Sequence, residues 1–275
     1  MTLTRIPLPD RLRAAAERGG SDPVPPKDAA TIVVVRDGDD GIEAYLMRRQ
    51  TSMKFAAGFD VFPGGGLQAD DHDADIPWVG PAADEWAARW RCDARLARAL
   101  VVAAVRETFE ETGVLLAGPD ADSVLSDTGT PDLHQARNDL EEGRIGFGDF
   151  LTARGLVLRA DLLGAWAHWI TPAFEPRRYD TRFFVAALPT GQRVGTMSRE
   201  ADHARWAPLR GVLAAIDAGE AAMMPPTMAT CREVAQHTAA SIVEASACRT
   251  FDTVVPRVVE IDGELFLETE LGEAP

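Results

Sequence analysis

The sequence predicts an α/β or α+β body on two observations: β-rich runs alternate with segments of helical apolar spacing, and no internal repeat interrupts that alternation. A chain of 275 residues, 46% hydrophobic and 26% charged, can bury a substantial core, and this excludes a fibre, a disordered tail or a disulfide-stapled miniature.

Each element follows in order. Residues 1–28 end in the Pro-rich SDPVPPKD, which cannot continue a helix and reads as an N-terminal extension leading into the body. TIVVV (31–35) and IEAYLMRR (42–49) are strands joined through the turn-forming DGDDG, and FDVFPGGG (59–66) is a short strand running into a glycine loop. From Pro81 to Thr112 the spacing is that of two helices, and Gly113 stands where a helix end wants a left-handed residue. Residues 120–160 read as a helical hairpin, and WAHWITP and YDTRFFVAALP return to strands. PLRGVLAAIDAGE and PTMATCREVAQHTAASIVEA are amphipathic helices, and VVEIDGELFLE closes the chain as a hairpin around Asp262-Gly263.

A net charge of −15 repels polyphosphate backbones, so neither nucleic acid nor an anionic membrane is expected as partner; a homodimer is compatible with the sequence. Cys92, Cys231 and Cys248 lie far apart without CxxC spacing, which signals neither a disulfide framework nor zinc and fits a reducing cytoplasm. No apolar run approaches the ~20 residues of a membrane span, and the N-terminus lacks the apolar stretch of a signal peptide.

Chemistry concentrates in RETFEETGV (106–114), where Glu107, Glu110 and Glu111 at i, i+3, i+4 share one helix face. Leu96, Leu100, Ala103 and Ala104 precede them on that face, while Val102, Val105 and Phe109 line the opposite one, so the helix packs on both sides. Three carboxylates ending a buried face repel one another unless a hard divalent cation neutralises them, and an all-oxygen set selects Mg²⁺ or Mn²⁺ over zinc. Upstream, Gly64 and Gly65 in VFPGGGLQADD let backbone approach a ligand or helix closely. Patterns for a P-loop, a dinucleotide fold or a serine hydrolase are missing.

These residues resemble the box of the Nudix hydrolases: Gly, five residues, Glu, seven residues, then Arg-Glu-U-x-Glu-Glu-x-Gly-U with U apolar. Gly65, Arg106, Glu107, Glu110, Glu111, Gly113 and Val114 fit it. Asp71 replaces the first Glu, Thr108 replaces one U, and 34 residues separate Asp71 from Arg106. Such a split box looks like the branch of peroxisomal or mitochondrial-type coenzyme A diphosphatases, and WITPAFEPRRYDTRFFVAALP and EADHARWAPL are similar to that branch as well. The resemblance implies a Nudix-type α/β/α sandwich with a mixed sheet, helical insertions and a C-terminal helical and hairpin extension. The corresponding division is a domain at 29–230, with 72–105 inserted in the box, and an extension at 231–275. The inserted residues leave and return at the rim of the site, so they are expected to cover its entrance.

The resemblance further implies metals on Glu107, Glu110 and Glu111, with Glu110 or Glu200 accepting the proton of the attacking water and Arg106 orienting a carboxylate. Arg49 and Lys54 stand at the spacing of a coenzyme A motif, with Gln50 and Lys54 as its departures. With Gly64, Gly65 and Arg178 they are the expected substrate contacts. The activity expected is Mg²⁺- or Mn²⁺-dependent hydrolysis of coenzyme A or acyl-coenzyme A to 3′,5′-ADP and the phosphopantetheine part. Alternatives are a diphosphatase for NADH, ADP-ribose or a damaged nucleotide, and a nucleotide-sensing module without turnover.

Overall fold

In the computed structural model, which describes residues 2–8, 12–13, 16, 23–49, 58–73, 75–195, 201–221 and 223–271, the chain begins with strand β1, Thr2–Pro7. Strands β2 (Lys27–Gly38) and β3 (Gly41–Arg49) follow as an antiparallel pair, turning at Asp39 and Asp40. β4 (Asp60–Val61) pairs with β3, and β5 (Gly64–Gly66) pairs antiparallel with β2, aligning Gly65 with Ala30. Helix α1 (Ala69–Asp73), strand β6 (Trp78–Val79), helix α2 (Ala83–Trp90) and helix α3 (Ala94–Thr112) come next. Then come β7 (Ala117–Gly118), α4 (Pro131–Glu141), α5 (Phe147–Ala153) and β8 (Val157–Arg159).

β9 (Gly164–Ile170), β10 (Tyr179–Ala187) and β11 (Ala201–Pro208) complete most of the central sheet, and α6 (Leu209–Asp217), α7 (Pro225–Val234) and α8 (Ile242–Ala247) cover it. β12 (Thr253–Val254) leads into the hairpin β13 (Arg257–Ile261) and β14 (Glu264–Leu271). Asp262 and Gly263 both have positive φ, 53° and 81°, as a primed turn requires.

The central sheet runs β11-β3-β2-β10-β9-β12 with β4 and β5 alongside. It is mixed, since β10 is parallel to β2 while β9 is antiparallel to β10. Alternation in β2 explains its two covered faces. Ile32 and Val34 join Leu100, Ala104 and Phe184 in one core, whereas Val33 and Val35 join Trp166, Cys231 and Ile242 in the other. An α/β/α sandwich results, as the sequence predicts.

Two features depart from the sequence reading. β1 is not a bare lead-in but pairs antiparallel with β14, Thr2 opposite Leu271 through Pro7 opposite Phe266. The described residues of 72–105 pack into the body and do not line the site: Trp86 and Trp90 are each 2% exposed and pack on Phe184, and Ala94–Val105 is the first part of α3 itself. Large indoles need a buried surface, and the sheet face beside β10 supplies it.

Candidate active site

Helix α3 presents the carboxylates. The Asp93 side chain caps its start by accepting from the Leu96 N–H at 2.8 Å, and Gly113, at φ 76°, ends it with its N–H on the Phe109 carbonyl. Between these caps the apolar side chains are buried on both sides, so the four charged residues at 106, 107, 110 and 111 emerge against the glycine strand β5.

Arg106, 2% exposed, organises that end. Its Nε and Nη2 donate to the two carboxylate oxygens of Asp71, each at 2.9 Å, a bidentate pair; Nη2 also reaches the Gly66 carbonyl at 3.2 Å. Nη1 donates to Glu107 at 2.8 Å and to Glu110 Oε2 at 3.2 Å. Burial works against the Arg106 charge, but Asp71, Glu107 and Glu110 outweigh it and its pKa is raised. Asp71, the shorter residue at the first Glu position of the box, is therefore the anchor of the arginine, and its Oδ2 also accepts from the Gln68 N–H at 2.8 Å.

The glycine strand closes on the same carboxylates. Gly64 N–H donates to Glu111 Oε2 at 2.7 Å. A Cβ on Gly65 would lie 2.4 Å from Glu107 Oε1, so only glycine permits this approach. Glu110 Oε1 is buried without a hydrogen-bond partner. Burial pushes Glu110 up to about 7; Arg106 opposes that rise and Glu107 adds to it. Arg137 of α4, 4% exposed, donates to the Glu110 main-chain carbonyl at 2.6 Å. Nothing in the spacing of α4 signals that contact.

A cavity of about 670 Å³ opens beside this cluster, lined by Gly64, Gly65, Glu107, Glu110 and Glu111 at one end. It continues over Thr31, Thr181, Phe183 and Trp169 of the central sheet and is bounded by Leu12, Pro256 and Leu267 from the two chain ends. None of the described residues of 72–105 lines it, which overturns the expectation that this segment covers the entrance. Arg178 is not among the lining residues either: its Nε and Nη1 donate to the Thr171 and Val24 carbonyls, and the neighbouring Arg177 faces the cavity instead. Arg49 ends β3 opposite Ala201, while Lys54 and Glu200 lie outside the described residues.

The family model of the NUDT19 Nudix domain matches residues 93–234, half of the chain, beginning at the cap of α3. The chain belongs to the Nudix hydrolases. The crystal structure of a NUDIX hydrolase from Alicyclobacillus acidocaldarius is 31% identical and superposes with a TM-score of 0.65 over 82% of this chain and 98% of that one. Acyl-coenzyme A diphosphatase NUDT19 of Xenopus laevis is 23% identical over 199 residues, 60% of this chain and 52% of that protein. The Gallus gallus protein of the same name is 27% identical over 190 residues, 54% of this chain and 49% of that one. The chain thus spans about half the length of the curated relatives it matches. Among the Nudix hydrolases its split box resembles the branch of these coenzyme A diphosphatases.

The donor set suits a hard cation in kind, with three carboxylates and one buried oxygen, Glu110 Oε1, lacking any partner. Among the described residues, however, no three acidic, histidine or cysteine side chains converge closely enough to hold a metal ion. Arg106 and the Gly64 N–H take up oxygens that a cation would need. Among the described residues no helix is long and apolar enough to cross a membrane.

Proposed function

We propose that this Nudix hydrolase cleaves the phosphoanhydride of a nucleoside diphosphate linked to a second moiety, with coenzyme A or an acyl-coenzyme A as substrate. The observation carrying this reading is the carboxylate cluster of Glu107, Glu110 and Glu111, held by Arg106 and Gly64 at one end of a cavity of about 670 Å³. The names of the Xenopus and Gallus relatives support the coenzyme A thioester in particular.

Glu107, Glu110 and Glu111 are the proposed holders of Mg²⁺ or Mn²⁺, which would require their oxygens to turn from Arg106 and the Gly64 N–H; a divalent cation held there would neutralise the diphosphate and acidify water. The remaining roles belong to the chain. Arg106, anchored by Asp71, keeps Glu107 and Glu110 oriented. The Gly64 N–H holds Glu111, and the side-chain-free β5 lets a diphosphate approach the helix. Glu110, whose Oε1 is unpartnered, is proposed to take the proton of the attacking water. Glu200 is proposed for the same role.

The experiment is a competition assay of coenzyme A, octanoyl-coenzyme A, dephospho-coenzyme A, NADH and ADP-ribose with Mg²⁺ or Mn²⁺, reading the nucleotide released. Coenzyme A and its thioester should be cleaved with the highest kcat/KM, and dephospho-coenzyme A less well. Arg49→Ala should shrink that last difference by about 1.5–3 kcal/mol, the worth of a charge-assisted hydrogen bond. Faster cleavage of NADH or ADP-ribose moves the reading to those dinucleotides, and no cleavage of any substrate removes the enzyme reading.

A further inference from the structure

We propose that the seam between the central sheet and the sheet formed by the two chain ends is a binding site for the apolar thioester arm of the substrate, with Leu12 and Leu267 setting its acyl selectivity. This inference rests on the coenzyme A reading and goes beyond it, because it assigns specificity to residues outside the Nudix box.

The cavity has two chemically different ends. At the β5 end lie Glu107, Glu110 and Glu111. From β5 the lining residues step across the sheet to β2, β10 and β9, where Ala29, Thr181 and Trp169 are successive register partners. Three strand spacings of roughly 4.8 Å make that path about 14 Å long. Its far end is aliphatic and aromatic: Leu12, Trp169, Phe183 and Leu267 are each 9% exposed or less. Pro256, just beyond β12, bounds the same end.

The roof over that end is unusual in origin. Leu12, following β1, and Leu267, in β14, form a small cluster with Leu8, separate from both cores of the sandwich. β1 and β14 are fastened by an Arg5–Glu268 ion pair at 2.7 Å, and Arg257 of β13 joins the same carboxylate at 2.8 Å. The two ends of the chain therefore build one wall of the cavity, across from the central-sheet residues that also line it.

Charge decides which half of a coenzyme A thioester enters. The adenosine half carries a 3′-phosphate, a dianion that would lose its hydration against Leu12, Leu267 and Phe183. Arg177, the one lining cation among the described residues, shares the turn before β10 with the lining carboxylate Glu175, so it faces a competing negative charge. The pantetheine thioester is uncharged, and its acyl chain gains by leaving water for that wall. With the diphosphate at the carboxylates, the neutral arm is the half that the aliphatic end fits.

The test is a chain-length series: coenzyme A, acetyl-, octanoyl- and palmitoyl-coenzyme A with wild type, Leu267→Trp, Leu12→Trp and Leu267→Ala. Filling the wall with tryptophan should lower kcat/KM for the octanoyl and palmitoyl esters about tenfold or more relative to each variant's own value for coenzyme A. Leu267→Ala should move the preferred chain length upward, which also guards against a tryptophan variant that folds poorly. Equal losses across the series, including coenzyme A, would overturn the inference and place the base or the common pantetheine there. In that outcome wild type still cleaves coenzyme A, so the substrate reading survives. A wild type that cleaves NADH or ADP-ribose but no coenzyme A thioester removes both.

Discussion

Glu110 sits between opposed demands. The residue is 7% exposed, one carboxylate oxygen is bonded to Arg106 and the other has no partner, and burial raises its pKa to about 7. An acid raised in this way binds more protons folded than unfolded between its unperturbed 4.5 and about 7. The stability of the metal-free protein should consequently fall as pH rises through that window, the full cost of about 3 kcal/mol being present above it and absent below. Glu110→Gln should flatten this dependence in melts run with a chelator, and leave the neutral-pH melt at or above wild type. The same variant should lose about 10²-fold or more of its activity, since the charge is gone. Activity above roughly a tenth of wild type would reject the role.

Asp71 makes the complementary case. Removing it by Asp71→Ala leaves the Arg106 charge buried and under-compensated, a change that typically costs about 3–5 kcal/mol. Urea unfolding reads that loss directly, and a loss below about 1 kcal/mol would show that Glu107 and Glu110 alone suffice for the arginine. Sequence spacing presents Asp71 only as a departure from the box. Its task becomes visible when the chain brings it to Arg106, 35 positions on, because hydrogen-bond geometry across such a gap is a property of packing.

At the scale of elements, the meeting of β5 with α3 is the decisive contact. Gly65 aligns with Ala30, and its missing Cβ makes room for Glu107. Gly65→Ala places a methyl 2.4 Å from Glu107 Oε1, the mobile end of a side chain, so the fold can yield while the carboxylate cannot keep its place. The expected result is a kcat reduced about tenfold or more with a melting temperature near wild type; a large drop in melting temperature with kcat intact would make the glycine structural alone. Much at this scale is legible in the sequence. TIVVV declares a strand by composition, the Glu107–Glu110–Glu111 spacing declares a helix face, and Gly113 marks the helix end. Less legible is α2, where Trp86 and Trp90 show helical spacing but not the partner they bury against, Phe184, nearly a hundred residues later. Reading that segment as a cover over the entrance followed from its position in the split box alone. Arg178 and Arg177 likewise cannot be told apart before the turn that precedes β10 points them different ways.

For the whole molecule, the pairing of the two chain ends is the feature that spacing could not announce, since Arg5 and Glu268 stand 263 residues apart and their strands carry no motif. It also divides the protein into parts of unequal strength. β2 and β10 are buried on both faces, with Val33, Val34, Phe184 and Val185 each fully enclosed, so opening them exposes both cores. Among the described residues the terminal sheet rests on a small cluster of Leu8, Leu12 and Leu267, with partly buried Ile6, Val258 and Leu265 against it, and on ion pairs whose arginines are about half exposed or more. Glu268 is buried but its arginines are solvated, and pairs with a solvated cation contribute only about 0–1 kcal/mol each, so they cannot replace a core. Amide hydrogen exchange should therefore separate the two: Val258–Glu260 and Leu265–Leu267 should exchange through a local opening of lower free energy than Val33–Val35 and Phe184–Ala186, which should exchange only on global unfolding. A ligand that occupies the cavity touches both sheets, because Leu267 and Phe183 line it from opposite sides. Saturation with a slowly cleaved thioester should accordingly slow exchange in the terminal sheet more than in the central one, by the factor that ligand linkage sets. Equal protection of both sheets in the free protein would mean that the chain ends are part of one cooperative unit, and that the seam between them is as rigid as the core.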